Sequence, residues 1–310
     1  MRAILLTIIL MCFGVSQMSA AKTIEVKSEN FILVGDISKS SATGLVEDLE
    51  EYRSAIFQIF RATPGPEKIP VRIYTLKSSE EIEKVTGMAK SAGVYTITPD
   101  GPVFVLSSKS GFKSDNRAAK IAYHEYTHHL MAQFTSQKYP RWYNEGIAEY
   151  LATFKARKKK FQIGIPDTDH RYILDRTSWF PMDTLIGSVR RYPFLNGGGA
   201  AMQRGRAMFY AQSWLAVHYL QSTPGMGKKF GQYMKIMKSG VKSVEAFETA
   251  FGMTPDEFGK VLRTYYKANR YNYATVELTD KSEVEMQITV LDANEAAKRR
   301  AEAKYLFTGG

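Results

Sequence analysis

Cysteine is almost missing from this chain: of 310 residues only Cys12 is one, and it lies in the apolar N-terminal run. If that run is removed, the mature protein has no disulfide, no thiol nucleophile and no cysteine-based metal site. Histidine is also scarce, with 5 copies, so two of them at a ligand spacing carry information. Beyond residue 15 there is no uninterrupted apolar stretch near the roughly 20 residues that a bilayer-spanning helix needs, and the expectation is a soluble mature chain. Acid is the minority charge: 42 Lys and Arg face 31 Asp and Glu, for a net charge of +11 and a pI near 9.4. That balance favours anionic surfaces in general. A weak contact with an anionic envelope surface is compatible with it. No nucleic-acid-binding module accompanies it, and no nucleic-acid partner is expected. With 44% hydrophobic and 24% charged residues, whole-chain disorder and collagen-like structure are excluded, and the length suits one or two domains.

Export is expected from the N-terminus. Met1 and Arg2 give a positive start, residues 3–15 are apolar, and Ser19, Ala20 and Ala21 offer small side chains for cleavage. That order is the pattern of a secretory signal over residues 1–21, and it places the mature protein in the periplasm or outside the cell. An uncleaved anchor is the alternative.

The fold class expected is α+β. Residues 22–112 read as an N-terminal block of strands and helices: strand patterns at 24–26, 31–34 and 71–76, a helical pattern over 45–60, a short helix capped by Ser78 or Ser79, and a hairpin turned at Pro99, Asp100 and Gly101. Residues 113–270 read as mostly helical, interrupted by a basic, irregular stretch after residue 154 and a Gly-rich loop at 196–199. A C-terminal extension, 271–310, shows strand-like alternation and a final short helix from 293.

His124, Glu125, Tyr126, Thr127 and His128 spell H-E-x-x-H inside the first long helix of the second part. The i, i+4 spacing stacks two imidazoles on one helix face, where they can hold one zinc ion. Glu125 is offset towards the place of a water activated by the ion, so it is suited to act as general base. Zinc needs a further protein ligand. After Pro140 the run Arg141-Trp142-Tyr143-Asn144-Glu145-Gly146-Ile147-Ala148-Glu149-Tyr150 puts Glu145 and Glu149 at i, i+4 on one face of the next helix. Two antiparallel helices with a short link bring Glu145 against the histidines and leave Glu149 to bond a ligand imidazole's free N–H.

These two motifs resemble those of the gluzincin metallopeptidases, and more closely the small bacterial peptidase MA-like domains. The match is His124-Glu125-x-x-His128 followed by Trp142-x-x-Glu145-Gly146-x-Ala148-Glu149-Tyr150. The resemblance implies a zincin-like fold, one Zn2+ held by His124, His128 and Glu145, Glu125 as base, and a peptide or protein as substrate. It also implies a tyrosine lining the site from a downstream helix, for which Tyr210 is the candidate. A metzincin is excluded, because its glycine and third histidine would fall on Met131 and Phe134. Aminopeptidase relatives carry a glutamate on the edge strand of the sheet. The comparable strand, 101–106, has no acid, so endopeptidase action is expected over aminopeptidase action. The alternative function is a non-catalytic envelope binding or scaffold protein that keeps the zinc site as structure. The other histidines have plainer expectations: His129 packed or exposed, His170 on the surface, His218 in the core or at a rim. Residues 157–160 are expected to form a solvated basic patch.

Overall fold

In the computed structural model the described residues are 23–63, 65, 67–88, 93–108, 117–134, 138–188, 199–279 and 283–308. Strands β1 (Ile24–Lys27) and β2 (Phe31–Gly35) form an antiparallel pair with Ile24 opposite Gly35. Helix α1 (Lys39–Phe60) starts at Ser38, whose side chain accepts a hydrogen bond from the Ser41 N–H. Its buried stripe, Leu45, Leu49, Tyr52 and Ile56, follows helical spacing and lies against the sheet. Strand β3 (Val71–Leu76) then runs parallel to β2, and the short helix α2 (Ser79–Thr86) follows with Ser78 as its cap. Strands β4 (Gly93–Thr98) and β5 (Gly101–Ser107) make the expected hairpin, and β5 pairs in parallel with β3.

The resulting mixed sheet has the order β4-β5-β3-β2-β1-β9, where β9 is Gln287–Val290. This corrects the reading of residues 101–106 as the strand comparable to an edge. Parallel pairing of β5 with β3 places it inside the sheet, so its hairpin partner β4 becomes the outer strand. Alternation separates the two faces. Ile24, Val26, Phe31, Leu33, Ile73, Phe104 and Leu106 share one core with α1 and with helix α3 (Arg117–Phe134). Val34, Tyr74, Val94, Val103 and Val105 face Ile82 of α2 and Ala296 and Ala303 of the C-terminal helix α11 (Ala293–Thr308). The C-terminal extension is therefore built into the first sheet through β9 and α11.

Beyond α3 come α4 (Arg141–Leu151), a hairpin of β6 (Lys155–Arg157) and β7 (Lys160–Ile163), and helices α5 (Thr168–Arg176), α6 (Met182–Gly187), α7 (Gly199–Ser222), α8 (Met226–Lys238), α9 (Ser243–Phe251) and α10 (Pro255–Ala268). Strand β8 (Ala274–Glu277) pairs with β7 to complete a three-stranded sheet. The stretch expected to be irregular is thus partly a hairpin, with Lys158 in the left-handed conformation at its turn. The mixed α+β class holds. Residues 1–22, with Cys12 and the expected cleavage site, lie outside the described residues, as do 196–198 of the Gly-rich loop and Ser114 and Asp115, either of which suits the cap of α3 by residue type. Among the described residues no helix is long and apolar enough to cross a membrane.

Candidate metal centre

Helix α3 sits under the sheet through Ala119, Ala122, Tyr123, Tyr126 and Leu130, all buried. That burial turns its opposite side, with Lys120, His124 and His128 at successive i, i+4 positions, towards α4 and α5. Helix α4 begins at Pro140, whose carbonyl accepts from the Asn144 N–H at 3.0 Å. It crosses α7 closely at Gly146, where an added Cβ would lie 2.7 Å from both the Ser213 carbonyl carbon and Val217 Cγ2. Only glycine permits that approach, and the approach fixes where Glu145 and Glu149 stand.

The expected ligands converge. His124 Nε2 and His128 Nε2 are 3.1 Å apart, and Glu145 Oε2 is 3.2 Å from His128 Nε2 and 3.4 Å from His124 Nε2. Two donors each about 2.0–2.1 Å from a tetrahedral ion stand about 3.3 Å apart. The triangle therefore has the size that one metal ion requires. His124 and Glu145 are buried, and His128 is partly so. His124, His128 and Glu145 form a group able to hold a metal ion. Two imidazole nitrogens and a carboxylate suit a borderline transition metal better than calcium or magnesium, which prefer all-oxygen sets.

Each ligand has a partner behind it. Glu149 Oε1 faces His124 Nδ1 at 3.1 Å, the role expected from its spacing, while its Oε2 lies 2.8 Å from His170 Nε2. The Asn144 side-chain amide is 3.2 Å from His128 Nδ1. Turning that amide exchanges only two similar atoms, and its oxygen then accepts the Nδ1–H. Arg141 approaches Glu145 Oε1 at 3.4 Å, which leaves Oε2 as the oxygen directed at the histidines. Burial alone would raise Glu145, but bonds to His124 and then His128 hold its carboxyl far below the usual carboxylate range. Glu149 is likewise depressed: burial raises it, and the charges of His124 and His170 overcome that.

Glu125 projects beside the triangle and is partly exposed. Burial is the largest influence on it and raises its pKa; His124 and His128 oppose this, and Glu145 and Glu149 add to it, so the net shift is upward. A partly exposed carboxylate at the edge of a metal site is suited to take a proton from water. Tyr210 of α7 stands edge-on to His124, with ring centroids 5.9 Å apart.

The remaining histidines are all engaged. His129 is buried and stacks on Tyr126 at 5.5 Å. Its Nε2 is 3.2 Å from Glu67 Oε2 and its Nδ1 is 2.7 Å from the Tyr95 hydroxyl on β4. Gln133 Nε2 donates to Glu67 Oε2 at 2.6 Å, and the Tyr126 hydroxyl donates to Oε1 at 2.9 Å. His218 is buried, with Nε2 donating to the Gly164 carbonyl at 2.8 Å and Nδ1 accepting from the Tyr265 hydroxyl at 2.8 Å. His170 departs from the expectation of a surface loop residue. It lies in the first turn of α5, its ring 5.5 Å from that of Trp214, because the acidic partner that draws it inward comes from α4. Local sequence carries no signal for that pairing, nor for Glu67. Asn144 was visible in principle, one position before a proposed ligand.

No family model matches this chain, and no curated protein matches it.

Proposed function

We propose that the protein is an exported zinc metallopeptidase of gluzincin type with a zincin-like arrangement of sheet and helices. The observation that carries the reading is the triangle of His124, His128 and Glu145 donors at 3.1–3.4 Å with a glutamate, Glu125, next in sequence to one of them. Zinc held by His124, His128 and Glu145 would supply the Lewis acidity that makes a water nucleophilic near neutral pH. Glu125 would accept the attacking water's proton and return it to the departing amine. Tyr210 donates its hydroxyl hydrogen to the carbonyl oxygen as charge develops on it. The outer strand β4, adjacent to α3 through the Tyr95–His129 bond, offers its backbone edge to an extended peptide. Its residues, Gly93 to Thr98, include no acid, which favours endopeptidase over aminopeptidase action now that the outer strand is identified.

The decisive test is Glu125→Gln. It should retain stoichiometric zinc and lose hydrolysis of a peptide library that the wild type cleaves in a chelator-sensitive manner. Undiminished cleavage by that variant refutes the catalytic role. Stoichiometric zinc with no cleavage by the wild type favours the scaffold alternative.

A further inference from the structure

Between the metal-site helices and α5 runs a line of contacts that continues the metal-site pairs outward to residues the peptidase reading does not use, Lys120, Asp167 and His170. Along α3, Lys120, His124 and His128 are spaced one turn apart, and each meets a carboxylate. Lys120 Nζ donates to Asp167 Oδ2 at 2.7 Å, His124 faces Glu149, and His128 faces Glu145. Asp167 is the N-cap of α5: its Oδ1 accepts from the backbone N–H groups of Asp169 at 2.8 Å and His170 at 2.9 Å. One side chain therefore ties the start of α5 to α3 and sets the backbone of His170. The His170 ring is then held between Trp214 of α7 and Glu149 of α4.

We propose that His170 is a positioning residue of the metal centre: its Nε2–H holds one oxygen of Glu149 so that the other oxygen meets His124 Nδ1. Glu149 has three rotatable side-chain bonds, and a single contact to His124 leaves the carboxylate free to turn. The second contact, at 2.8 Å from a ring held by Trp214 and by the Asp167 cap on its backbone, removes that freedom. A Glu149 oxygen kept on Nδ1 selects the His124 tautomer whose Nε2 lone pair points at the Glu145 and His128 donors. This inference rests on the metal-binding reading and extends it by one more residue outward.

The test uses the mature full-length chain and zinc, with affinity read by competition against a chromophoric chelator. His170→Leu keeps apolar bulk beside Trp214 and removes the donor; it should weaken zinc binding roughly tenfold, the low end for residues that orient a ligand imidazole. His170→Gln, which retains an N–H at similar reach, should restore affinity to within about threefold. In a Glu149→Ala background His170→Leu should cost nothing further, because the partner through which it acts is gone. Leu174→Ala, in the buried side of α5, should lower the melting temperature and leave zinc affinity alone. Wild-type affinity in His170→Leu, or an equal loss with and without Glu149, overturns the proposal. A wild-type protein that binds no zinc overturns the metal reading itself, which is a separate outcome.

Discussion

Gly146 offers the sharpest structural test, because one methyl group decides it. In an exposed helix, alanine in place of glycine stabilises by about 1 kcal/mol. Here the new Cβ would stand 2.7 Å from the Ser213 carbonyl carbon and from Val217 Cγ2, and closer still to the Ser213 oxygen. Ordinary carbon contacts lie at about 3.5–4.0 Å, so α4 and α7 must separate by roughly 1 Å. Val217 can rotate; the Ser213 carbonyl, bonded within its helix, cannot. Overpacking of this kind costs about 1–3 kcal/mol, and a backbone obstacle belongs at the upper end. The net effect of Gly146→Ala is therefore a destabilisation of about 2 kcal/mol, a melting point about 3 °C lower for a chain of this size. The same displacement moves Glu145, the adjacent residue, by more than the roughly 0.2 Å that a metal site tolerates. Calorimetry and zinc competition on the same samples should both show a loss. A raised melting point with unchanged zinc affinity would mean that helix propensity governs the position and that α4 and α7 do not meet there.

Tyr210→Phe should lower kcat for peptide cleavage about a hundredfold and leave zinc affinity as it was; equal losses in both would assign the tyrosine to binding the metal site together. Asp48 of α1 has its carboxyl pushed up to about 7 by burial and then by Glu51 and Glu47. An acid raised in the folded state destabilises as it ionises, so Asp48→Asn should add about 1–2 kcal/mol at pH 8 after screening is allowed for and nothing below about pH 4, as read by denaturant titration at both pH values. Burial alone would lower the His124 pKa, but Glu149, Glu145 and Glu125 raise it well above the usual imidazole value. Its stabilising charge in chelated protein is complete below about pH 6.5 and is lost as pH rises through the raised value. Zinc displaces that proton, so its affinity should keep increasing above pH 6.5; a plateau there, by competition titration, would contradict the assignment.

What could be read from residues alone followed the range of the physics involved. The i, i+4 pairs His124/His128 and Glu145/Glu149 are local, and a helix places such pairs on one face whatever surrounds it. Strand order is not local. Hydrophobic alternation marks β4 and β5 equally well, and only the parallel pairing of β5 with β3 decides which of the two is outermost. The β6–β7 hairpin was hidden by Lys158, Lys159 and Lys160, whose polarity reads as loop; its strands exist because Phe161 and Ile163 insert into the core and β8 arrives from more than a hundred residues away. His170 was misread for the same reason. Flanked by Asp169 and Arg171, it carries the composition of a surface turn, while Glu149 and Trp214, which bury it, stand 21 and 44 positions away.

The charge arrangement of the centre argues for a cation independently of any motif. Glu125, Glu145 and Glu149 bring three carboxylates around the two ligand imidazoles, with Arg141 against Glu145 and His170 against Glu149. Without further positive charge, the cluster satisfies itself by protonating histidine, and the raised His124 and depressed Glu145 and Glu149 record that demand. Yet a proton is a poor solution here. His124 Nε2 and His128 Nε2 face each other at 3.1 Å, so only one of them can carry a hydrogen in the gap, and a doubly protonated pair would repel. A divalent ion seated among the three donors supplies two charges from one point, lets both rings stay neutral with their Nδ1–H groups directed outward, and leaves Glu149 and the Asn144 amide as the acceptors those hydrogens need. The outer partners are thus matched to the metal-bound tautomers, in which each Nδ1 carries its hydrogen outward and each Nε2 keeps its lone pair for the ion.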